Sequence, residues 1–187
     1  ERFLTELIQK NHKVLIAIAL ELSERLRERS KYLVKPNITP RIFIGSSSEY
    51  LKVATKLEEA LSKDRKLTVN LWKNGVFDLS QSNIESLVEE ATHVDFAVFL
   101  LSKDDIVRSK GKKQRGPRDN VLFEYGLFMG MIGRDRTYAL SCGGNVKIPS
   151  DLDGITRIEV PCKKGQRINL HVATEKIQAK ITEKGVR

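Results

Sequence analysis

Apolar residues recur along this chain in two rhythms, and they alternate from about residue 41 onward. Residues 41–45, Arg-Ile-Phe-Ile-Gly, form a short apolar run that ends in Gly45-Ser46-Ser47-Ser48. Leu51, Ala54, Leu57 and Leu61 then fall at helical spacing over residues 49–61. Residues 67–72 alternate as a second strand. Ser80 or Ser82 caps a helix through Ala91, with Ile84, Leu87 and Val88 facing inward. Residues 94–101 are almost wholly apolar, as expected of a strand covered on both faces of a parallel sheet. A polar loop over 106–118 leads to a helix capped by Asp119 or Asn120 and running to Gly133. Strands over 136–140 and 155–160 follow, the last alternating like an edge. Leu170, Ala173, Ile177 and Ile181 mark a closing helix.

This alternation predicts an α/β fold: a doubly wound parallel sheet of five strands with helices on both faces. Helices precede it. Phe3, Leu4, Leu7 and Ile8 give a short amphipathic segment, and Asn11 caps a second helix with Leu15, Ile18, Leu22 and Leu26 on one stripe. Pro36 and Pro40 break that pattern. The expected organisation is therefore a helical segment over 1–35, a linker over 36–40 and an α/β domain over 41–187.

In such sheets ligands sit outside the carboxyl ends of the strands. The segments expected there are 45–48, 72–78, 102–105 and 118–120. They bring the hydroxyls of Ser46 and Ser47, the aromatic rings of Trp72 and Phe77, the acids Asp78 and Asp104, and the polar pair Arg118 and Asn120 to one crevice. The turn after the first strand suits a phosphate, because backbone N–H groups meet it at a helix N-terminus. It is neither a G-x-G-x-x-G nor a Walker loop.

Glu124 changes the picture most. From Val121 to Gly133 it is the only charged side chain, and Tyr125 is the only other polar one. A carboxylate inside an apolar helix is costly unless it is paired, hydrogen-bonded or required by function. Two readings stand: a glutamate satisfied by a nearby arginine, or a catalytic carboxylate in a pocket.

Composition narrows the partners. The chain has 187 residues and a formal net charge of +9, from 33 Lys and Arg against 24 Asp and Glu. The cations are spread along its length. The one dense cluster, residues 110–118, has no interleaved aromatic for base stacking, so no nucleic-acid partner is expected. No apolar run approaches a membrane span, and the N-terminus lacks the pattern of a signal peptide, which points to the cytoplasm. Cys142 and Cys162 have no CxxC spacing and no nearby histidine, so no metal site is expected and free thiols are the default.

Several motifs together resemble one family. They are Arg-Ile-Phe-Ile-Gly-Ser-Ser-Ser-Glu over 41–49, Leu71-Trp72, Gly75-Val76-Phe77, Val-Asp-Phe-Ala-Val-Phe over 94–99, Asp104-Asp105, Arg-Asp-Asn-Val-Leu-Phe-Glu-Tyr-Gly-Leu-Phe-Met-Gly over 118–130, and Ile-Pro-Ser-Asp-Leu-Asp-Gly over 148–154. Over about residues 41–185 the chain resembles the bacterial TIR-like domain of anti-phage effectors. The resemblance implies a flavodoxin-like TIR fold and cleavage of NAD⁺ to nicotinamide and linear or cyclic ADP-ribose, with NAD⁺ as substrate and no further cofactor. It implies that Glu124 is catalytic, and that residues 73–80 mediate TIR–TIR self-association and border the substrate. Residues 2–11 and 22–27 are similar to the closing helices of a cyclic-nucleotide-binding domain, whose barrel and phosphate cassette are not among these residues. That similarity implies activation by a cyclic pyrimidine nucleotide, cCMP or cUMP. A dimerisation helix is the other reading of the segment.

The chemistry suits one carboxylate. Nicotinamide leaves as a neutral molecule, so no acid need protonate it, unlike the alkoxide of an ordinary glycoside. An oxocarbenium-like transition state needs a negative charge nearby. A non-catalytic scaffold, which has no need of a carboxylate at position 124, and a nucleotide-binding sensor without turnover are the alternatives.

Overall fold

The computed structural model describes residues 12–30, 35–72, 83–109, 112–144, 146–149, 152, 157–162 and 168–187. Contacts group the chain into two units, residues 1–35 and 36–187. In the first unit, α1 (His12–Ser30) is a single helix. Its apolar stripe of Leu15, Ile18, Leu22 and Leu26 is exposed. No helix among the described residues is long and apolar enough to cross a membrane.

Among its described residues the second unit has seven strands: β1 (Arg41–Gly45), β2 (Thr68–Leu71), β3 (Phe96–Leu101), β4 (Asp105–Ser109), β5 (Lys112–Gly116), β6 (Thr137–Cys142) and β7 (Arg157–Val160). Five of them make one sheet in the order β2-β1-β3-β6-β7. Every neighbouring pair in it is parallel. This is the expected flavodoxin-like α/β arrangement. β3 lies at its centre with all six residues buried, which is why its sequence carries no polar alternation.

Two helices cover each face. α2 (Leu51–Leu61) and α5 (His171–Lys184) bury Val53, Ala54, Leu57, Leu61, Ala173, Ile177 and Ile181 against Ile42, Ile44, Phe96, Val98 and Leu100. α3 (Asn83–His93) and α4 (Asp119–Ile132) bury Leu87, Ala91, Val121, Tyr125, Phe128 and Ile132 against Phe43, Ala97, Phe99 and Leu101. The two sets of sheet residues alternate along each strand, as pleating requires.

The structure corrects three local expectations. Leu51 is exposed, and Val53 joins the inward stripe of α2 in its place. Ile84 and Val88 are also exposed, because α3 turns Leu87 and Ala91 to the sheet. Residues 106–118 are not simply a loop: β4 and β5 pair as an antiparallel hairpin from Asp105 opposite Gly116 to Ser109 opposite Lys112. Its strands read Asp-Ile-Val-Arg-Ser and Lys-Lys-Gln-Arg-Gly, too polar to announce a strand by pattern. The hairpin instead rests on the segment after β6, where Lys147 N–H donates to the Arg115 carbonyl at 3.0 Å.

At the N-terminal edge of the sheet, Asp95 is completely buried. Its carboxylate accepts from the Asn37 side chain at 2.8 Å, the Arg41 N–H at 2.9 Å and the Arg187 N–H at 2.8 Å. Segment 36–40, β1, β3 and the chain's last residue thereby meet at one side chain. The Asp95 N–H returns a bond to the Arg41 carbonyl at 2.9 Å.

Asp95→Ala should leave these donors without their acceptor and lower the unfolding free energy by roughly 3 kcal/mol or more, read from urea denaturation. Asp95→Asn, which keeps one acceptor oxygen, should cost less. Equal stability of Asp95→Ala and the wild type would show that the hub is dispensable.

Candidate active site

β1 ends at Gly45, and the reason for glycine is steric. A Cβ there would lie 2.4 Å from the Phe99 ring. The backbone can pass that ring and enter the turn only without a side chain. Ser46 and Ser47 follow, both buried, and a 3₁₀ turn over Ser48–Tyr50 leads into α2. The Ser46 hydroxyl has no hydrogen-bond partner, and that of Ser47 only acts on the Glu49 carboxylate from beyond hydrogen-bond distance.

α4 brings Glu124 to the same end of the sheet. The helix starts at Asp119, with Arg118 as its N-cap and no side-chain cap bond, so neither Asp119 nor Asn120 plays the capping role expected of it. Asp119 lies within the first turn, where the helix dipole favours a negative charge. Arg118 reaches across to the turn after β1 instead. Its guanidinium lies 2.5 Å from the Glu49 carboxylate and 3.4 Å from the Ser48 hydroxyl. The pair is half-exposed, so it orients the two segments more than it stabilises them. The Glu49 carboxyl is held below its usual range, first by a hydrogen bond from its own backbone N–H and further by Ser48 and Arg118.

Glu124 is 6% exposed, and its Oε2 has no hydrogen-bond partner. Burial alone pushes its carboxyl up to about 7. Among the described residues the reading in which a neighbouring arginine satisfies it finds no support: Arg118 is engaged by Glu49, and no opposite charge contributes to the shift. Tyr125, the next residue, is a feature that its apolar neighbours in sequence only hint at. It too is buried, its hydroxyl lacks a partner, and burial pushes that hydroxyl up to about 12. Among the described residues the buried side-chain polar atoms without a partner are those of Ser46, Ser47, Glu124 and Tyr125. Buried polar groups are almost always paired, so a set of orphans gathered in a turn and the helix bridged to it marks a place built for something else.

Aromatic packing ties Trp72 to this region. Its ring lies 5.7 Å from Phe43, and Phe43 stacks at 4.3 Å on Phe128, one turn beyond Glu124 on α4. Trp72 is half-buried and packs on the same core as Glu124's helix. Asn120 is exposed one turn before Glu124. Asp104 sits apart from these. It accepts from the Ser102 hydroxyl at 2.6 Å, and its charge acts on Tyr50 and Cys142, which belong to the core on the other face of the sheet. Phe77 and Asp78, and the proposed assembly segment 73–80, lie outside the described residues. No cluster of His, Cys, Asp and Glu suited to a metal ion occurs among the described residues.

Residues 41–161 match the family model described as the CAP12/Pycsar effector protein, TIR domain. The chain belongs to this TIR-domain effector family of anti-phage systems. Over 159 residues the TIR chain is 38% identical to the Pycsar effector protein BcPycTIR of Burkholderia cepacia, covering 84% of this chain and 52% of that protein. It is 39% identical over 142 residues to PaPycTIR of Pseudomonas aeruginosa, covering 75% and 46%. It is 34% identical over 143 residues to CD-NTase-associated protein 12 of Sphingobacterium faecium, covering 76% and 43%. The TIR chain thus spans about half the length of these curated relatives.

The raised carboxyl of Glu124 carries a stability signature. Its folded value, about 7, exceeds the 4.5 of an ordinary glutamate, so the folded state holds the proton more tightly than the unfolded chain. The associated stability is present in full below pH 4.5 and is lost as pH rises through about 7. Wild type should therefore lose up to about 3 kcal/mol relative to Glu124→Gln between pH 4.5 and 8. Urea denaturation of both proteins at several pH values measures this. A constant difference between them would mean that Glu124 is solvated or paired.

Proposed function

We propose that this TIR domain cleaves the nicotinamide–ribose bond of NAD⁺, with Glu124 as the catalytic carboxylate. The observation that carries the reading is the buried carboxylate of Glu124, one oxygen of which lacks a partner, set in the helix that Arg118 links through Glu49 and Ser48 to the turn after β1. In the reaction the C1′–N bond breaks and its electron pair leaves with neutral nicotinamide. Positive charge develops over C1′ and the ring oxygen of the ribose. A carboxylate stripped of water stabilises that charge far more than a solvated one would. Water then captures the cation at C1′ and loses a proton, giving ADP-ribose; capture by a group of the ligand itself gives the cyclic product.

The hydroxyls of Ser46 and Ser47 supply donors for the diphosphate, beside the start of a helix. Trp72 offers a ring edge for the nicotinamide or adenine, and Asn120 a polar group near the mouth. Asp104 is assigned to the rim on the opposite layer. Phe77 and Asp78 enter from the sequence alone, as does self-association through 73–80. The gating signal, a cyclic pyrimidine nucleotide such as cCMP or cUMP sensed outside the TIR domain, belongs to the same proposal. It rests on the likeness of the N-terminal helices and not on the site.

A desolvated carboxylate in this role must be ionised. kcat/KM for NAD⁺ should rise with pH through a single ionisation near 7, and Glu124→Gln should lose activity by at least two orders of magnitude at every pH while remaining folded. Nicotinamide release followed by chromatography, with circular dichroism of the variant, is the test. Near wild-type turnover by Glu124→Gln would overturn the catalytic assignment. No turnover by the wild type at high protein and NAD⁺ concentration would favour the scaffold reading.

Assembly makes a separate prediction. Specific activity should rise steeply with protein concentration, in step with self-association followed by sedimentation, and Phe77→Ala should flatten the rise. A constant specific activity from a strictly monomeric protein would show that one protomer carries a complete site.

A further inference from the structure

The chain's two cysteines, 20 residues apart in sequence, meet at one end of the sheet, in the core opposite the Glu124 helix. Cys142 is the last residue of β6 and is completely buried. Cys162 lies two residues past β7 and is half-buried. β6 and β7 are parallel neighbours with Cys142 opposite Val160, so the chain that leaves β7 passes directly beside the end of β6. The Gly143 N–H donates to the Val160 carbonyl at 3.3 Å and holds the two exits together. The two side chains pack in one cluster.

Exposure makes the pair unequal: Cys142 is completely buried and Cys162 is half-buried. The neighbouring Cys162 sulfur and burial push the Cys142 thiol up, and the Cys142 sulfur holds the Cys162 thiol down. Cys162 is thus the more accessible sulfur, and Cys142 is the protected one behind it. This is the division of labour found in an attacking and a resolving thiol. A metal reading has too few ligands, since no third His, Cys, Asp or Glu completes a cluster there among the described residues.

We infer that Cys142 and Cys162 form a reversible dithiol–disulfide pair, oxidised by hydrogen peroxide, that cross-links the ends of β6 and β7. The Cys162 thiolate attacks one oxygen of the peroxide. The O–O bond breaks, a sulfur–oxygen bond forms, and hydroxide departs to be protonated to water. The Cys142 sulfur then attacks the Cys162 sulfur, the sulfur–oxygen bond breaks, and the thiol proton of Cys142 leaves with the second hydroxide as water. Two thiols and one peroxide become one disulfide and two waters, and a dithiol reductant reverses the change. In a reducing compartment such a bond is transient, as a sensor requires.

The position gives the cross-link a target. The Tyr50 hydroxyl lies 3.8 Å from where a Cβ on Gly143 would stand, and the Cys162 carbonyl lies 3.9 Å from the same point. Tyr50 ends the 3₁₀ turn that follows Ser46 and Ser47. Locking β6 to the segment after β7 therefore acts on the support of that turn. The inference does not depend on the identity of the substrate.

The test is peptide mapping of the intact 187-residue chain. The reduced protein is exposed to a small excess of hydrogen peroxide under native conditions, alkylated, and digested with trypsin without reductant. Trypsin cuts after Lys147 and Arg157, so the cysteines fall on different peptides. The expected product is an intramolecular Cys142–Cys162 linkage in a protein that remains a monomer on a non-reducing gel, lost on treatment with dithiothreitol. In Cys142→Ser the sulfenic acid should persist at Cys162 and be trapped by dimedone. In Cys162→Ser the buried Cys142 should stay unmodified. Disulfide-linked dimers in place of the internal bond, sulfinic acid at Cys162 without a cross-link, or two unmodified thiols after peroxide would each overturn the inference.

Discussion

Asp95 is the fixed point from which the rest of the domain is measured. A fully buried carboxylate survives only where donors surround it, and here they come from segment 36–40, the first residue of β1 and the last residue of the chain. These bonds set where β1 and β3 begin relative to each other. Because a parallel sheet carries its register along whole strands, they also set where those strands end. The position of the turn after β1 beside the start of α4 follows from a carboxylate at the opposite edge of the sheet.

Glu124 is the counterpart with the opposite accounts. Both acids are buried, yet Asp95 is surrounded by donors and Glu124 has an oxygen with none. The first pattern is what a structural carboxylate requires. The second raises the carboxyl to about 7 and stores an unfavourable desolvation that only a positive charge or a donor in the pocket would relieve. The domain tolerates this because Phe43, Phe99 and Phe128 pack around the same helix. Fully burying one such side chain contributes roughly 1.5–3 kcal/mol.

The strand–helix alternation, the buried character of β3 and the parallel sheet were legible in the sequence. Each depends on a period repeated over many residues, which local mispackings do not disturb. The helix around Glu124 was legible too, since one charge in an apolar run is conspicuous whatever surrounds it. Side-chain direction at the edges of helices was less so. Leu51, Ile84 and Val88 fit an inward stripe by spacing, but each lies at the margin of a face, where a small rotation of the helix decides between core and solvent.

Tertiary structure alone decided which polar residues meet. The β4–β5 hairpin is stabilised by backbone pairing and by its contact with residue 147, and its Lys-Lys-Gln-Arg-Gly strand carries no apolar pattern. Arg118 and Glu49 are 69 residues apart, and the donors to the Asp95 carboxylate lie 54 to 92 residues from it. Cys142 and Cys162 meet only because β6 and β7 are neighbours in the sheet. Periodicity records which face of an element is buried, because burial acts on every residue of that face. It holds no record of which two distant polar groups share a hydrogen bond, because that depends on the register of strands brought together only by the completed fold.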